Sequence, residues 1–155
     1  MRVKHKYQNM FMHFAVTASL QSTSNKRKVG AVVIRDNNCI SIGWNGTLPG
    51  HDNACEDCNN RTKPSVIHAE ENAIVALAGT SSSTKGGSLF VTTAPCFVCS
   101  RLIIKSGILE VFYLDDYKNN DGIDNLVKSN ITIIKMTNKN GKYIPERLIN
   151  KRRPE

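Results

Sequence analysis

The stretch SLFVTTAPCFVCSRLIIKSGILEVFYL, residues 88–114, places a strand, a helix and a second strand in immediate succession. Ser88–Thr92 is a short run rich in apolar and β-branched residues, Pro95 opens a helical segment that closes near Gly107, and Glu110–Leu114 is strand-like again. A helix between two strands is the crossover that parallel neighbours require. The pattern continues with a helix over Ile123–Lys128 and a strand over Ile131–Met136. Upstream, Val29–Ile34 and Cys39–Trp44 are joined by Asp36, Asn37 and Asn38, which is the chemistry of an antiparallel hairpin. Met10, Phe11, Phe14, Ala15 and Ala18 recur at helical spacing and predict an opening amphipathic helix over Tyr7–Leu20. A Gly-, Pro-, Asn- and Asp-rich loop spans residues 45–65, and a helix over Ala69–Ala78 ends at Gly79. The expected class is α/β, a sheet sandwiched between helices with parallel strands in its second half.

Bulk properties agree with one ordinary domain. A chain of 155 residues buries a core without disulfides, so residues 1–155 are expected to form a single unit. With 40% hydrophobic and 22% charged residues, the composition excludes a disordered chain, and the apolar runs are far too short to cross a bilayer. No secretory signal is visible at the start. Five cysteines at uneven spacing then predict reduced thiols or metal ligands in a cytoplasmic setting, the host cytoplasm were the chain viral. A net charge of +8 favours an anionic partner, either nucleic acid or a phosphorylated small molecule. Part of that excess lies in Asn150–Glu155 and reads as a solvated tail.

Two short motifs carry the chemistry. His68-Ala69-Glu70 begins one predicted helix, and Pro95-Cys96-Phe97-Val98-Cys99 begins another with proline at its first position. A Cys-x-x-Cys at a helix start presents both sulfurs to one ion and favours the thiolate form. His68, Cys96 and Cys99 as ligands leave one tetrahedral position of zinc for water, the catalytic arrangement. Zinc brings the pKa of that water to about 7. A carboxylate two residues after the histidine reaches the water without occupying the metal, so Glu70 is expected to shuttle protons. This pairing of H-x-E with P-C-x-x-C is the zinc deaminase signature.

The chain resembles the deoxycytidylate deaminases, within the wider cytidine deaminase-like superfamily. The resemblance runs through Lys28-Val29-Gly30-Ala31-Val32-Val33, Gly43-Trp44-Asn45-Gly46 with Pro49 and Gly50, His68 to Ile74, Thr92 to Cys99, and Gly107 to Tyr117. It implies a three-layer α/β/α sandwich with a mixed central sheet of about five strands. It also implies hydrolysis of dCMP to dUMP and ammonia, zinc hydroxide attacking C4 while Glu70 carries protons to N3 and to the departing amine. Asn45 is placed by the resemblance near sugar and phosphate, Ala94 main-chain groups near the base, and Tyr117 with Asp115 along the pocket wall, with Thr92 in the same segment. Lys26, Arg27 and Lys28 are candidates for the phosphate.

Further expectations come from the same likeness. His51, Cys55 and Cys58 have metal-like spacing in the long loop, where some relatives, a phage enzyme among them, carry a second, structural zinc. Gly43, Trp44, Asn45 and Gly46 correspond to a regulatory nucleotide loop, implying dCTP and dTTP as effectors, and relatives assemble as homo-oligomers, commonly hexamers. Glu71 and Trp44 depart from the residues usual at their positions. Competing readings are a deaminase of dCTP or 5-substituted dCMP, a polynucleotide deaminase of the tRNA adenosine type, and a zinc-stabilised binding module. The Gly43–Gly50 segment and the lack of an aromatic-basic stripe argue for a free nucleotide over nucleic acid.

Overall fold

The computed structural model describes residues 2–150. Among these residues six strands form one sheet in the order β2-β1-β3-β4-β5-β6. The first two, β1 (Gly30–Arg35) and β2 (Asn38–Trp44), make the expected hairpin. Asp36 and Asn37 turn it with φ of 52° and 61°, the pair of positive angles that a two-residue turn of this hand needs and that Asp and Asn tolerate. Strand β3 (Ser88–Thr93) lies antiparallel to β1 and parallel to β4 (Glu110–Asp115), which is parallel to β5 (Thr132–Lys139). The six residues of β3 are all buried, as a strand covered on both faces must be.

Helix α1 (His5–Ser19) covers one face of the sheet, and α2 (Ala69–Val75), α3 (Phe97–Lys105) and α4 (Asp121–Lys128) cover the other, giving the three layers. On the α1 face, Phe11, Met12 and Ala15 pack on Val32, Phe90, Phe112 and Met136, and the Phe90 and Phe112 rings stack at 4.2 Å. On the other, Ala69, Ala73, Ile103, Ile123 and Leu126 pack on Ala31, Val33, Leu89, Val91, Val111 and Ile133.

Three sequence expectations are corrected. The buried stripe of α1 is Phe11, Met12, Ala15 and Ala18, while Met10 and Phe14 are exposed. Helix α3 takes Cys96 as its N-cap, so Pro95 stands one residue outside it rather than at its first position. A sixth strand, β6 (Lys142–Asn150), pairs antiparallel with β5 through Asn140 and Gly141, whose φ values are 51° and 82°. Of the expected tail, residues 151–155 lie outside the described residues. No helix among the described residues is long and apolar enough to cross a membrane.

Candidate active site

The two motifs meet where α2 and α3 begin. His68 is the N-cap of α2 in extended backbone, and Glu70 sits in its first turn. Gly43 of β2 seats this helix: a Cβ there would stand 2.4 Å from the Ala73 nitrogen and 2.5 Å from the Ala69 carbonyl oxygen, so only glycine lets the strand approach. Ser41 Oγ donates to the Ala73 carbonyl at 2.6 Å, and Asn72 Nδ2 donates to the Trp44 carbonyl at 2.7 Å. On the opposite side α4 backs α3. Gly122 lies so close to the Pro95–Cys96 peptide that a Cβ would meet the Pro95 oxygen at 2.0 Å, and Asn125 Nδ2 donates to Ser100 Oγ at 2.8 Å.

His68 Nδ1 lies 3.6 Å from Cys96 Sγ and 3.3 Å from Cys99 Sγ. Zinc bonds of about 2.3 Å to sulfur and about 2.0 Å to nitrogen put tetrahedral N and S ligands about 3.5 Å apart, so the trio matches a zinc site. Among the described residues it is the one group of three or more His, Cys, Asp or Glu side chains whose ligand atoms lie mutually close. Its protonation chemistry fits as well. Hydrogen bonding from Cys99 and from His68 holds the Cys96 thiol down at about 4, while the neighbouring Cys96 sulfur and burial push Cys99 up. A dication held between the two sulfurs would displace the remaining thiol proton. Hydrogen bonding to Cys96 raises His68. Glu70 is 4% exposed, and burial pushes its carboxyl above the ordinary range.

A cleft of about 140 Å³ opens onto this group. Buried Glu70 and Ala69, with half-buried His68 and Cys96, form its inner end, and exposed Lys26, Arg27 and Thr62 its outer end. Val29, Asn45, Val66, Thr93, Ala94 and Tyr117 line the space between. Of the residues expected at the substrate, Lys26, Asn45, Ala94 and Tyr117 line this cleft. Asn45 also holds the local chain: its Oδ1 accepts from the Val29 N–H at 2.8 Å and its Nδ2 donates to the Arg27 carbonyl at 2.9 Å.

Other candidates fall elsewhere. Thr92 is buried inside the sheet, where its Oγ1 accepts from the Gly30 N–H at 3.1 Å, and Thr93 is the threonine that lines the cleft. Asp115 borders a separate hollow with Asp116, Lys135 and Glu146, although its carbonyl accepts from the Ala94 N–H at 2.8 Å. Lys28 is exposed and outside the cleft lining. His51, Cys55 and Cys58 are not gathered into a ligand set. Cys55 is fully buried with Sγ 3.5 Å from Thr23 Oγ1, whereas Cys58 and His51 are exposed. The loop is ordered by carboxylates instead, Asp57 Oδ1 accepting from the Asn59 and Arg61 N–H groups at 2.9 Å each. Gly46, at the end of the Gly43–Gly46 segment, bridges to Ile67 next to the metal histidine. Ser24, Thr62, Val66 and Thr93 are cleft residues that sequence reasoning missed. Alternation along β3 is the one signal that points to Thr93.

Comparison with known proteins agrees with this geometry. The profile of the cytidine and deoxycytidylate deaminase zinc-binding region matches residues 5–115. Deoxycytidylate deaminase of Saccharomyces cerevisiae is 33% identical over 126 residues, covering 75% of this chain and 40% of that protein. The human deoxycytidylate deaminase is 36% identical over 124 residues, covering 72% of this chain and 66% of its own length, so the chain spans less than two thirds of either relative. The crystal structure of dCMP deaminase from cyanophage S-TIM5, in complex with dCMP and dUMP, superposes with a TM-score of 0.84 at 38% identity over 87% of this chain and 100% of that one. With its metal motif, its fold and its relatives in agreement, the chain belongs to the cytidine and deoxycytidylate deaminase family.

Proposed function

We propose that this chain catalyses the hydrolytic deamination of dCMP to dUMP and ammonia. The observation that carries the reading is a single cleft with His68 and Cys96 of the trio and a buried carboxyl at its inner end and two exposed cations at its outer end. That layout suits a base at the inner end and a phosphate at the outer one, and the likeness to the cyanophage enzyme supports the same substrate. When bound by His68, Cys96 and Cys99, zinc supplies the Lewis acidity that brings the pKa of water to about 7. Glu70 takes a proton from the attacking water and delivers protons to N3 and to the leaving amine as the C4–N bond breaks. Its burial raises the carboxyl above the ordinary range, which favours its holding a proton between the two transfers. Asn45, the Ala94 main chain and Tyr117 border the bound nucleotide, and Lys26 with Arg27 faces its phosphate.

The finer features belong to the same reading. One zinc per chain is proposed, because the loop cysteines are not drawn together with His51. Metal content near one ion per chain, unchanged in Cys55→Ser, is expected, and a content near two that falls to one would restore a loop metal. Residues 1–155 are proposed to work as one unit, in the cytoplasm and as a homo-oligomer of hexameric size, with dCTP and dTTP as effectors at Gly43–Gly46; that last role rests on the resemblance. Turnover of dCMP, dCTP, 5-substituted dCMP, single-stranded DNA and RNA by the zinc-loaded protein tests the substrate. Deamination of dCMP is expected, and deamination of the polymers alone would overturn the reading.

A further inference from the structure

The long loop does more than border the cleft. Glu56 Oε1 accepts from Ser24 Oγ at 2.7 Å, from the Asn25 N–H at 3.2 Å and from the Lys26 N–H at 3.3 Å, and its Oε2 accepts from the Asn25 N–H at 3.3 Å. Ser24 Oγ passes the restraint on by accepting from the Arg27 N–H at 3.4 Å. One carboxylate, some thirty residues away in sequence, thus ties down the segment that carries both outer cations of the cleft. Glu56 is itself fixed from behind. It bridges to Thr62, and Asp57 folds the turn that joins them by accepting from the Asn59 and Arg61 N–H groups. Thr23 Oγ1 donates to the Asn53 carbonyl at 2.7 Å and closes the same seam.

We infer that Glu56 is a positioning residue for the anionic end of the substrate, its carboxylate holding residues 24–27 in the arrangement that presents Lys26 and Arg27 at the cleft. The inference rests on the dCMP reading above for the identity of that anion. Consecutive amides directed at one carboxylate resemble the backbone nests that bind anions. Glu56 occupies the Asn25 and Lys26 amides, so a phosphate meets the side-chain cations instead. Ordering this segment in advance spares the substrate the entropy of fixing it, and that gain is read in KM rather than in the chemical step.

Steady-state kinetics with Glu56→Ala and Glu56→Gln, both zinc-loaded, test the inference. The expected result is a KM for dCMP about tenfold higher in Glu56→Ala, with kcat within about twofold and unchanged zinc content. Glu56→Gln, which keeps an acceptor oxygen, lies between Glu56→Ala and the parent. An unchanged KM, or a fall in kcat with no change in KM, overturns it. Amide hydrogen exchange at Asn25 and Lys26 gives a readout independent of substrate. Exchange at least about tenfold faster in Glu56→Gln is expected, and equal rates refute the restraint. Failure of the parent protein to turn over dCMP refutes the dCMP reading and leaves the exchange rates to decide on Glu56.

Discussion

At the scale of single residues, the site is a proton problem solved by neighbours. Hydrogen bonds from Cys99 and His68 hold Cys96 low, the hydrogen bond to Cys96 and burial push Cys99 up, and burial raises Glu70. Cys99→Ser removes a sulfur from the 3.3 Å contact with His68 and should lower zinc affinity by more than the about 10–100-fold that loss of an outer-shell partner costs. Competition with a chromophoric chelator measures this; parent-like retention would remove Cys99 from the ligand set. That His68, Cys96 and Cys99 gather was legible in the sequence because zinc chemistry demands those residue types at that spacing. Thr92 was a misreading by one position. Successive strand residues face opposite sides of a sheet, and Thr93 faces the cleft while Thr92 answers the Gly30 amide.

At the scale of elements, the long loop and α4 decide whether those residues meet. The Lys63 ammonium holds Asp52 below its ordinary 3.8, the Ser24 hydroxyl holds Glu56 below 4.5, and the Arg61 amide holds Asp57 below 3.8. Depressed carboxylates contribute stability that is fully present above their ordinary values and is lost as pH falls through the lowered ones. The loop should therefore resist limited proteolysis from about pH 5 upward and open only as the pH falls well below 3.8. Equal cleavage between Ala54 and Arg61 across that range would contradict it. Gly122→Ala would put a Cβ 2.0 Å from the Pro95 carbonyl oxygen and push α4 off α3, destabilising the fold by about 1–3 kcal/mol and loosening zinc through Cys96. Denaturant unfolding and chelator competition check the two effects, and parent-like values in both would show that α4 does not buttress the ligand. Cys55 and Cys58 are not gathered with His51 as their spacing led one to expect. Their spacing suggests metal, yet the intervening Glu56 and Asp57 do the ordering, and hydrogen bonds across some thirty residues leave no local pattern to read. The β5–β6 hairpin did leave one, in Asn140-Gly141, but Pro145 and the charged Glu146 and Arg147 hide a strand that lies on the sheet edge.

For the whole molecule, two cores press on one sheet, and only the helix-rich face touches the chemistry. The layered α/β order and the parallel second half were legible because crossover helices alternate with apolar strands. Which helix covers which face was not, because that depends on contacts between distant segments. Phe112→Ala removes a fully buried ring stacked on Phe90 on the α1 face and should cost about 3–5 kcal/mol of stability. Folded Phe112→Ala protein should still bind zinc with parent affinity, since the ligands lie across the sheet; an equal loss of both would show that the faces are not separable. Zinc-dependent deamination driven by Glu70 is the claim on which the functional account turns. It is tested most directly by dCMP turnover in zinc-loaded Glu70→Gln beside the parent at equal metal content. A fall in kcat of at least about 10²-fold with zinc retained is expected, and parent-like turnover by Glu70→Gln would remove Glu70 from the proton transfers.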